Sequence, residues 1–347
     1  MKFLKYLLIF IPISIIGEFM HLSPTILFLL SAFAIVPLAG IMGQATEEIS
    51  CYTGPKVGGF LNATFGNATE LIISFFALKS GLFDVVKASI AGSVIGNTLL
   101  VLGASMFIGG LKFKTQSFNK KVIDVSSSML LFAVIGLSVP AIFTHTVNPE
   151  LLNTKYEGLS IIVAIIMFLI YILSLVFSFF THKDLYESSA EEGEEANWSL
   201  KKSIGVLAVA TVLIAIESEL LVGAVEPMTE SLGLSQFFVG IILIPIIGNA
   251  AEHSTAVVMA LKNKMDVAVE IAIGSSLQII LFVAPVLIFL SLLFTPMSIV
   301  FNLFELVSLI VSVLIANKVA SDGESNWLEG VQLLAVYIII AAAFFVV

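Results

Sequence analysis

Apolar residues run through this chain in long blocks, separated by short stretches that hold most of its Lys, Asp and Glu. A helix that crosses the ~30 Å hydrocarbon core of a bilayer needs ~20 mainly apolar residues. Eleven blocks approach or exceed that length: 4–20, 25–49, 57–80, 84–110, 122–143, 157–180, 202–226, 235–261, 265–293, 297–317 and 327–347. The pattern therefore predicts an all-α integral membrane protein. Lys2 and Lys5 precede the first block as they would in a signal peptide. However, Gly17-Glu18-Phe19-Met20-His21 makes a poor small-residue cleavage site, so the block is read as a helix.

A second pattern emerges when the chain is laid on itself with an offset of 182. Gly66-Asn67-Ala68-Thr69-Glu70 then falls on Gly248-Asn249-Ala250-Ala251-Glu252. In the same register Asp84 falls on Asp266, Val85 on Val267, Gly92 on Gly274 and Ser93 on Ser275. Apolar stretches match by chance at Val, Ala or Gly, but seldom at Asn, Glu and Asp together. The predicted organisation is an N-terminal transmembrane helix (1–22), a first five-helix repeat (23–180), an acidic linker (181–201) and a second five-helix repeat (202–347). Five is odd, so the second repeat enters the membrane from the opposite side. Inverted repeats are a common plan of secondary transporters, with the site near the midplane where the halves meet.

Composition agrees with a bilayer environment. Hydrophobic residues make up 59% and charged residues 12%, with a mean hydropathy of +1.09, whereas soluble domains carry about 25% charged residues. Cys51 is the single cysteine, which excludes a disulfide framework or a multi-cysteine metal site and reads as a structural thiol. The net charge is −9 and no basic patch suits nucleic acid. With the N-terminus in the cytoplasm, thirteen of the 16 basic residues, all lysines, fall on the inner side, as the positive-inside rule requires. The expected location is the cell membrane, with the linker in the cytoplasm. Neither GxxxxGK[ST] nor HExxH occurs. No nucleophile or metal cluster stands out, so neither an enzyme nor a bound cofactor is expected.

The chemistry lies in the acids within the spans, because an ionisable residue there costs several kcal/mol and usually has a partner or a task. Glu70 and Glu252 occupy equivalent places in the two copies. Two carboxylates brought together in low dielectric repel each other and lose hydration. They are relieved by a divalent cation or by protons, and competition between the two is an exchange mechanism. Calcium takes 6–8 oxygens in flexible geometry, so two carboxylates need help. Asn67 and Asn249 stand three residues before their acids, on the same helical face. Gly66 and Gly248 are placed to interrupt their helices and free backbone carbonyls, and Pro245 favours a break beside Gly248. Ser93, Asn97, Ser275 and Gln278 are expected to shape the site, or simply to pack helices.

Other acids are less decided. Glu47 and Glu48 end the second block, and Glu217 and Glu219 lie within the seventh. Thr46-Glu47 resembles Ser218-Glu219, so that pair lines an ion vestibule or makes helix-end or interhelical hydrogen bonds. Glu305 is a structural or gating acid. His253 follows Glu252 in one copy only, as a packing residue or a proton shuttle. Glu187, Glu191, Glu192, Glu194 and Glu195 make the linker acidic, either as a solvated connection or as a regulatory segment.

The chain resembles the calcium/proton exchanger (CAX) family of the calcium/cation antiporters. The resemblance covers nearly the whole chain. It rests on Gly58 to Ile72 and Pro245 to His253, which hold the two Gly-Asn-Ala-x-Glu motifs, and on the segments starting at Gly92-Ser93 and Gly274-Ser275. It implies an eleven-helix fold, with Glu70 and Glu252 as alternating Ca²⁺ and H⁺ carriers. It also implies Ca²⁺ efflux from the cytoplasm coupled to H⁺ entry. The expected partners are Ca²⁺, H⁺, the lipid bilayer and a possible second copy in a homo-oligomer. A Na⁺/Ca²⁺ exchanger of the same superfamily is the nearest alternative, although Asn-Ala-Thr and Asn-Ala-Ala before the acids supply few hydroxyls for sodium. A cation channel is more remote.

Overall fold

In lipid a backbone has no water to bond to, so a spanning segment must satisfy its own N–H and C=O groups. The computed structural model answers that demand with helices and covers residues 4–146, 152–187 and 196–346. After a 3₁₀ segment at Leu4–Ile9 come α1 (Phe10–Phe19), α2 (Pro24–Phe65), α3 (Ala68–Lys79) and α4 (Phe83–Ile95). Then follow α5 (Leu102–Lys112), α6 (Lys120–Thr146), α7 (Leu152–Val176) and the short α8 (Asp184–Glu187). The second half holds α9 (Leu200–Leu232), α10 (Gln236–Phe238), α11 (Ile244–Gly248) and α12 (Ala250–Leu261). It ends with α13 (Met265–Gln278), α14 (Ala284–Ser291), α15 (Leu303–Val319) and α16 (Trp327–Val346).

The chain divides into two compact units, each drawing on both halves of the sequence. The first combines 1–86 with 190–252. In it α2 lies along α9, and α1, α3 and α11 pack on that pair. Its centre is apolar, with Leu38, Met42, Ala68, Ala210 and Ile214 buried together. Ser14 of α1 donates to the fully buried Glu217 of α9 at 2.7 Å, which ties the first helix in place.

The second unit combines 87–189 with 253–347. Here α5 packs on α16, α13 and α15 on α6, and α14 on α7. The α5–α16 crossing is close because two glycines meet. A methyl group on Gly330 would lie 2.3 Å from the Phe107 nitrogen, the small-residue packing that membrane helices use in place of a hydrophobic driving force. A two-residue antiparallel ladder, Gln116–Ser117 with Glu324–Ser325, closes one end of this unit.

Among the described residues eight helices are long and apolar enough to span a membrane, and nine if a bent pair counts as one span. The expected first span shrinks to an apolar helix, Tyr6–Phe19. The expected third is merged with the second at its start and interrupted within. Helix α2 runs on through residues 50–57 to Phe65, and the chain leaves helical form only at Gly66–Asn67. It is not straight, since a methyl on Gly58 would sit 2.7 Å from the Ser50 Cβ. Residues eight apart on a straight helix are ~12 Å apart, so α2 turns sharply between them. The tenth span starts later than its apolar run, at Leu303, because Asn302 and Glu305 form a reciprocal capping box there. Glu305 is thus the structural acid of that helix start.

Spans four and nine each contain one π-helical stretch, Gly96–Val101 and Ile279–Val283. They are related by the same offset of 182, just beyond Gly92-Ser93 and Gly274-Ser275. Of the acidic linker, Glu191, Glu192, Glu194 and Glu195 lie outside the described residues.

Candidate functional site

The two repeated motifs break their helices at the same residue type. Asn67 sits between α2 and α3 with φ −100° and ψ 19°. Asn249 sits between α11 and α12 with φ −95° and ψ 6°. Both values fall in the sparsely allowed bridge region that many active-site residues occupy. At the second break, Gln236–Gly248 and Ala250–Leu261 are bent by 61°. Pro245, expected to cause that break, instead stands at the start of α11. Its carbonyl accepts both the Asn249 backbone N–H and the Asn249 side-chain amide, each at 3.0 Å. The asparagine is thereby turned so that Oδ1 is its outward acceptor end.

Each acid is set on the first turn after its break, Glu70 in α3 and Glu252 in α12. A helix start directs unbonded N–H groups and positive dipole toward its first residues, which suits a carboxylate there. Both acids, both asparagines and both glycines belong to the first unit.

Within that unit the two motifs are seated across each other. A methyl built on Gly248 would lie 3.1 Å from Glu70 Oε1 and 3.2 Å from its Cδ and Cγ. A methyl on Gly66 would lie 3.4 Å from Glu252 Oε1. Each acid therefore covers the glycine of the other copy, in a space that a larger side chain would fill. In the sequence these glycines stand where a helix would break and free its carbonyls. Their tighter requirement is the approach of the opposing carboxylate.

Glu70 is 2% exposed, and neither of its oxygens accepts a hydrogen bond from another residue. A buried carboxylate normally has donors around it, so this one is a ligand in waiting. Glu252 is only half-buried, and Ser254 and Thr255 beyond it are exposed. Asn67 and Asn249 are each 1% exposed. Among the described residues no three His, Cys, Asp or Glu side chains gather in metal-binding reach. A cation here would rely on two carboxylates plus amide and backbone oxygens, a donor set for a hard ion such as calcium rather than for zinc.

The four remaining candidates, Ser93, Asn97, Ser275 and Gln278, belong to the second unit. Ser93, Asn97 and Ser275 are buried and Gln278 is half-buried. Asn97 opens the π-helical stretch of its span, and its Oδ1 is 3.2 Å from His253 Nε2. That bond makes His253 a satisfied partner, as expected of a packing histidine.

The other acids are mostly engaged elsewhere. Glu48 accepts the Trp198 backbone N–H at 2.9 Å, Glu217 is held by Ser14, and Glu219 pairs with Lys79 at 3.6 Å. Glu48 and Glu217 are thus hydrogen-bonded acids. Cys51 is exposed rather than packed as a structural thiol, with its Sγ donating to the Glu47 carbonyl at 3.4 Å.

Comparison with known proteins places the chain in a family. The family model described as sodium/calcium exchanger protein matches residues 23–180 and again 202–346. A Ca(2+)/H(+) antiporter of Aphanothece halophytica is 51% identical over 98% of this chain and 95% of its own. The Ca(2+)/H(+) antiporter ChaA of Bacillus subtilis (strain 168) is 48% identical over 96% of each. A solved structure, native YfkE, superposes with a TM-score of 0.86 at 44% identity, covering 99% of this chain and 100% of that one.

Proposed function

The chain belongs to the sodium/calcium exchanger protein family, and within it we propose a calcium/proton antiporter that works by alternating access. The observation that carries this reading is the crossed seating of Glu70 on Gly248 and Glu252 on Gly66. It gives one compact place with two negative charges, scarce donors and room that glycine leaves open. Such a pair is stable only when neutralised, by one Ca²⁺ or by protons. The two loads exclude each other, and that exclusion is the coupling.

Bound Ca²⁺ takes oxygens from both carboxylates, from Asn67 and Asn249, and from carbonyls at the ends of α2 and α11, where helices leave C=O groups without intrahelical partners. Protonation of the acids removes the charge that holds the ion. The two five-helix repeats, 23–180 and 202–347, are inverted copies that exchange conformations and turn the site to alternate sides. Ca²⁺ leaves the cytoplasm as H⁺ enters. The cell membrane is the setting, with the N-terminus inside. Ser93, Asn97, Ser275 and Gln278 complete the surroundings of the ion path. The protein is a transporter and not an enzyme, with no resident cofactor.

The test is flux in proteoliposomes. An imposed pH gradient should drive Ca²⁺ against its own gradient, and an equal Na⁺ gradient should leave uptake at background. Sodium-driven uptake matching the proton-driven rate would move the chain to the sodium-coupled branch of the family. Calcium current without countertransport would make it a channel.

A further inference from the structure

In the first unit α1, α2 and α9 enclose a groove of about 460 Å³. Its walls are apolar, with Ile11 from α1, Ile41 from α2, and Val206, Val209 and Leu213 from α9. Lys202, at one end, is its one charged lining residue. Gly205 opens the wall beside it, since a methyl there would meet nothing within 4 Å.

The level of that end in the bilayer is marked. Lys202 Nζ lies 4.4 Å from the Trp198 ring centroid, and Ser199 caps α9 by accepting the Lys202 N–H. Paired Trp and Lys at a helix start belong to the membrane–water interface. From Lys202 to Leu213 the helix rises ~16 Å, about half of the ~30 Å hydrocarbon core. The groove thus begins at the headgroup level and ends near the midplane, which is the reach of one leaflet. A helix from a second copy would run the full thickness, whereas a single acyl chain has this length and starts at this level.

The charge at the mouth selects the headgroup. Lys201 and Lys202 are both exposed, and the start of the 33-residue α9 adds its positive dipole end. Glu48 is buried and accepts the Trp198 backbone N–H. We propose that this groove is a phospholipid site, with one acyl chain against α1, α2 and α9 and an anionic headgroup on Lys201 and Lys202. The site clamps α1 to α2 and α9 and links transport to the lipid composition of that leaflet.

Native mass spectrometry of the purified full-length protein, doped with phosphatidylglycerol or phosphatidylcholine, tests this. Wild-type protein should retain phosphatidylglycerol roughly thirtyfold better, the scale expected of two lysines at an anionic surface at about 1 kcal/mol each. Lys201→Gln with Lys202→Gln, both at exposed positions, should bring the two lipids level. Gly205→Leu, which fills the groove, should reduce retention of both lipids while the detergent melting curve stays as in wild type. Equal retention of the two lipids by wild-type protein would overturn the proposal, as would undiminished phosphatidylglycerol retention by the double glutamine variant. A change of oligomeric state in Gly205→Leu with lipid retention intact would assign the face to a second copy and also overturn it.

Discussion

The two copies of the Gly-Asn-Ala-x-Glu motif share four residues of five yet occupy different surroundings. In the first, Glu70 is almost sealed, 2% exposed, with its Oε1 3.1 Å from where a methyl on Gly248 would stand. In the second, Glu252 is half-buried and stands 3.4 Å from the Gly66 position, with exposed Ser254 and Thr255 following it. Both asparagines hold nearly the same backbone angles. Local sequence therefore sets the break and the helix start alike, and the difference arises from packing. A symmetric pair of repeats in a symmetric state would give both acids one environment. The inequality is what one end state of an alternating cycle should show, with one acid closed in and the other facing a way out. In the opposite end state the two environments should be exchanged.

The largest effects are expected from the acids themselves. Glu70→Gln and Glu252→Gln should each lower proton-driven Ca²⁺ flux at least about hundredfold, since truncating either partner of a buried charged pair removes several kcal/mol of binding. Both variants should remain folded by detergent melting. If the sealed acid were essential and the half-buried one dispensable, the two copies would not be alternating partners. Normal flux from both would remove the carboxylate mechanism.

The glycines should separate the copies more finely. At Gly248 the three atoms nearest to an alanine methyl all belong to Glu70, at 3.1–3.2 Å. Gly248→Ala should displace that carboxylate and raise the half-saturating Ca²⁺ concentration about tenfold, equivalent to about 1.4 kcal/mol, with stability little changed. At Gly66 the methyl meets the Asn62 carbonyl at 2.7 Å before it meets Glu252. Gly66→Ala should cost about 1–3 kcal/mol of stability as overpacking does, read as a lower melting temperature. Equal binding losses with equal stability in the two variants would cancel the distinction.

Much of this was legible in the sequence. Blocks of apolar residues locate the spans because lipid permits few other solutions, and the repeat at offset 182 picks out Glu70 and Glu252 without coordinates. What pattern could not show is how one copy meets the other. Gly66 and Gly248 read as helix breakers, whereas their demand comes from the carboxylate of the other copy, Glu252 for Gly66 and Glu70 for Gly248, across tertiary space. The turn inside α2 was also hidden, because Ser50 and Gly58 are unremarkable until they touch. Glu48 and Glu217 look alike as membrane acids, and only packing shows that one holds Trp198 and the other Ser14. The matched π-helical stretches at Gly96–Val101 and Ile279–Val283 had a signal available. They follow the repeated Gly-Ser pairs in register, and a polar residue, Asn97 or Gln278, stands at or next to each.

The smallest effect is expected at the ion pair between Lys79 of α3 and Glu219 of α9. It joins the helix that carries Glu70 to a helix of the second half, so it is a natural candidate for a lock on the sealed acid. Its physics argues otherwise. The groups are 3.6 Å apart, with side chains 52% and 63% exposed. Exposed pairs contribute about 0–1 kcal/mol and are screened over ~8 Å at physiological salt. Lys79→Gln should therefore change proton-driven Ca²⁺ flux less than about twofold, and raising the salt concentration should narrow even that difference. A larger loss, persisting at high salt, would mean that the pair does lock α3. The contrast between Glu70 and Glu252 would then be held partly by a surface contact and not by the packing of the buried motifs alone.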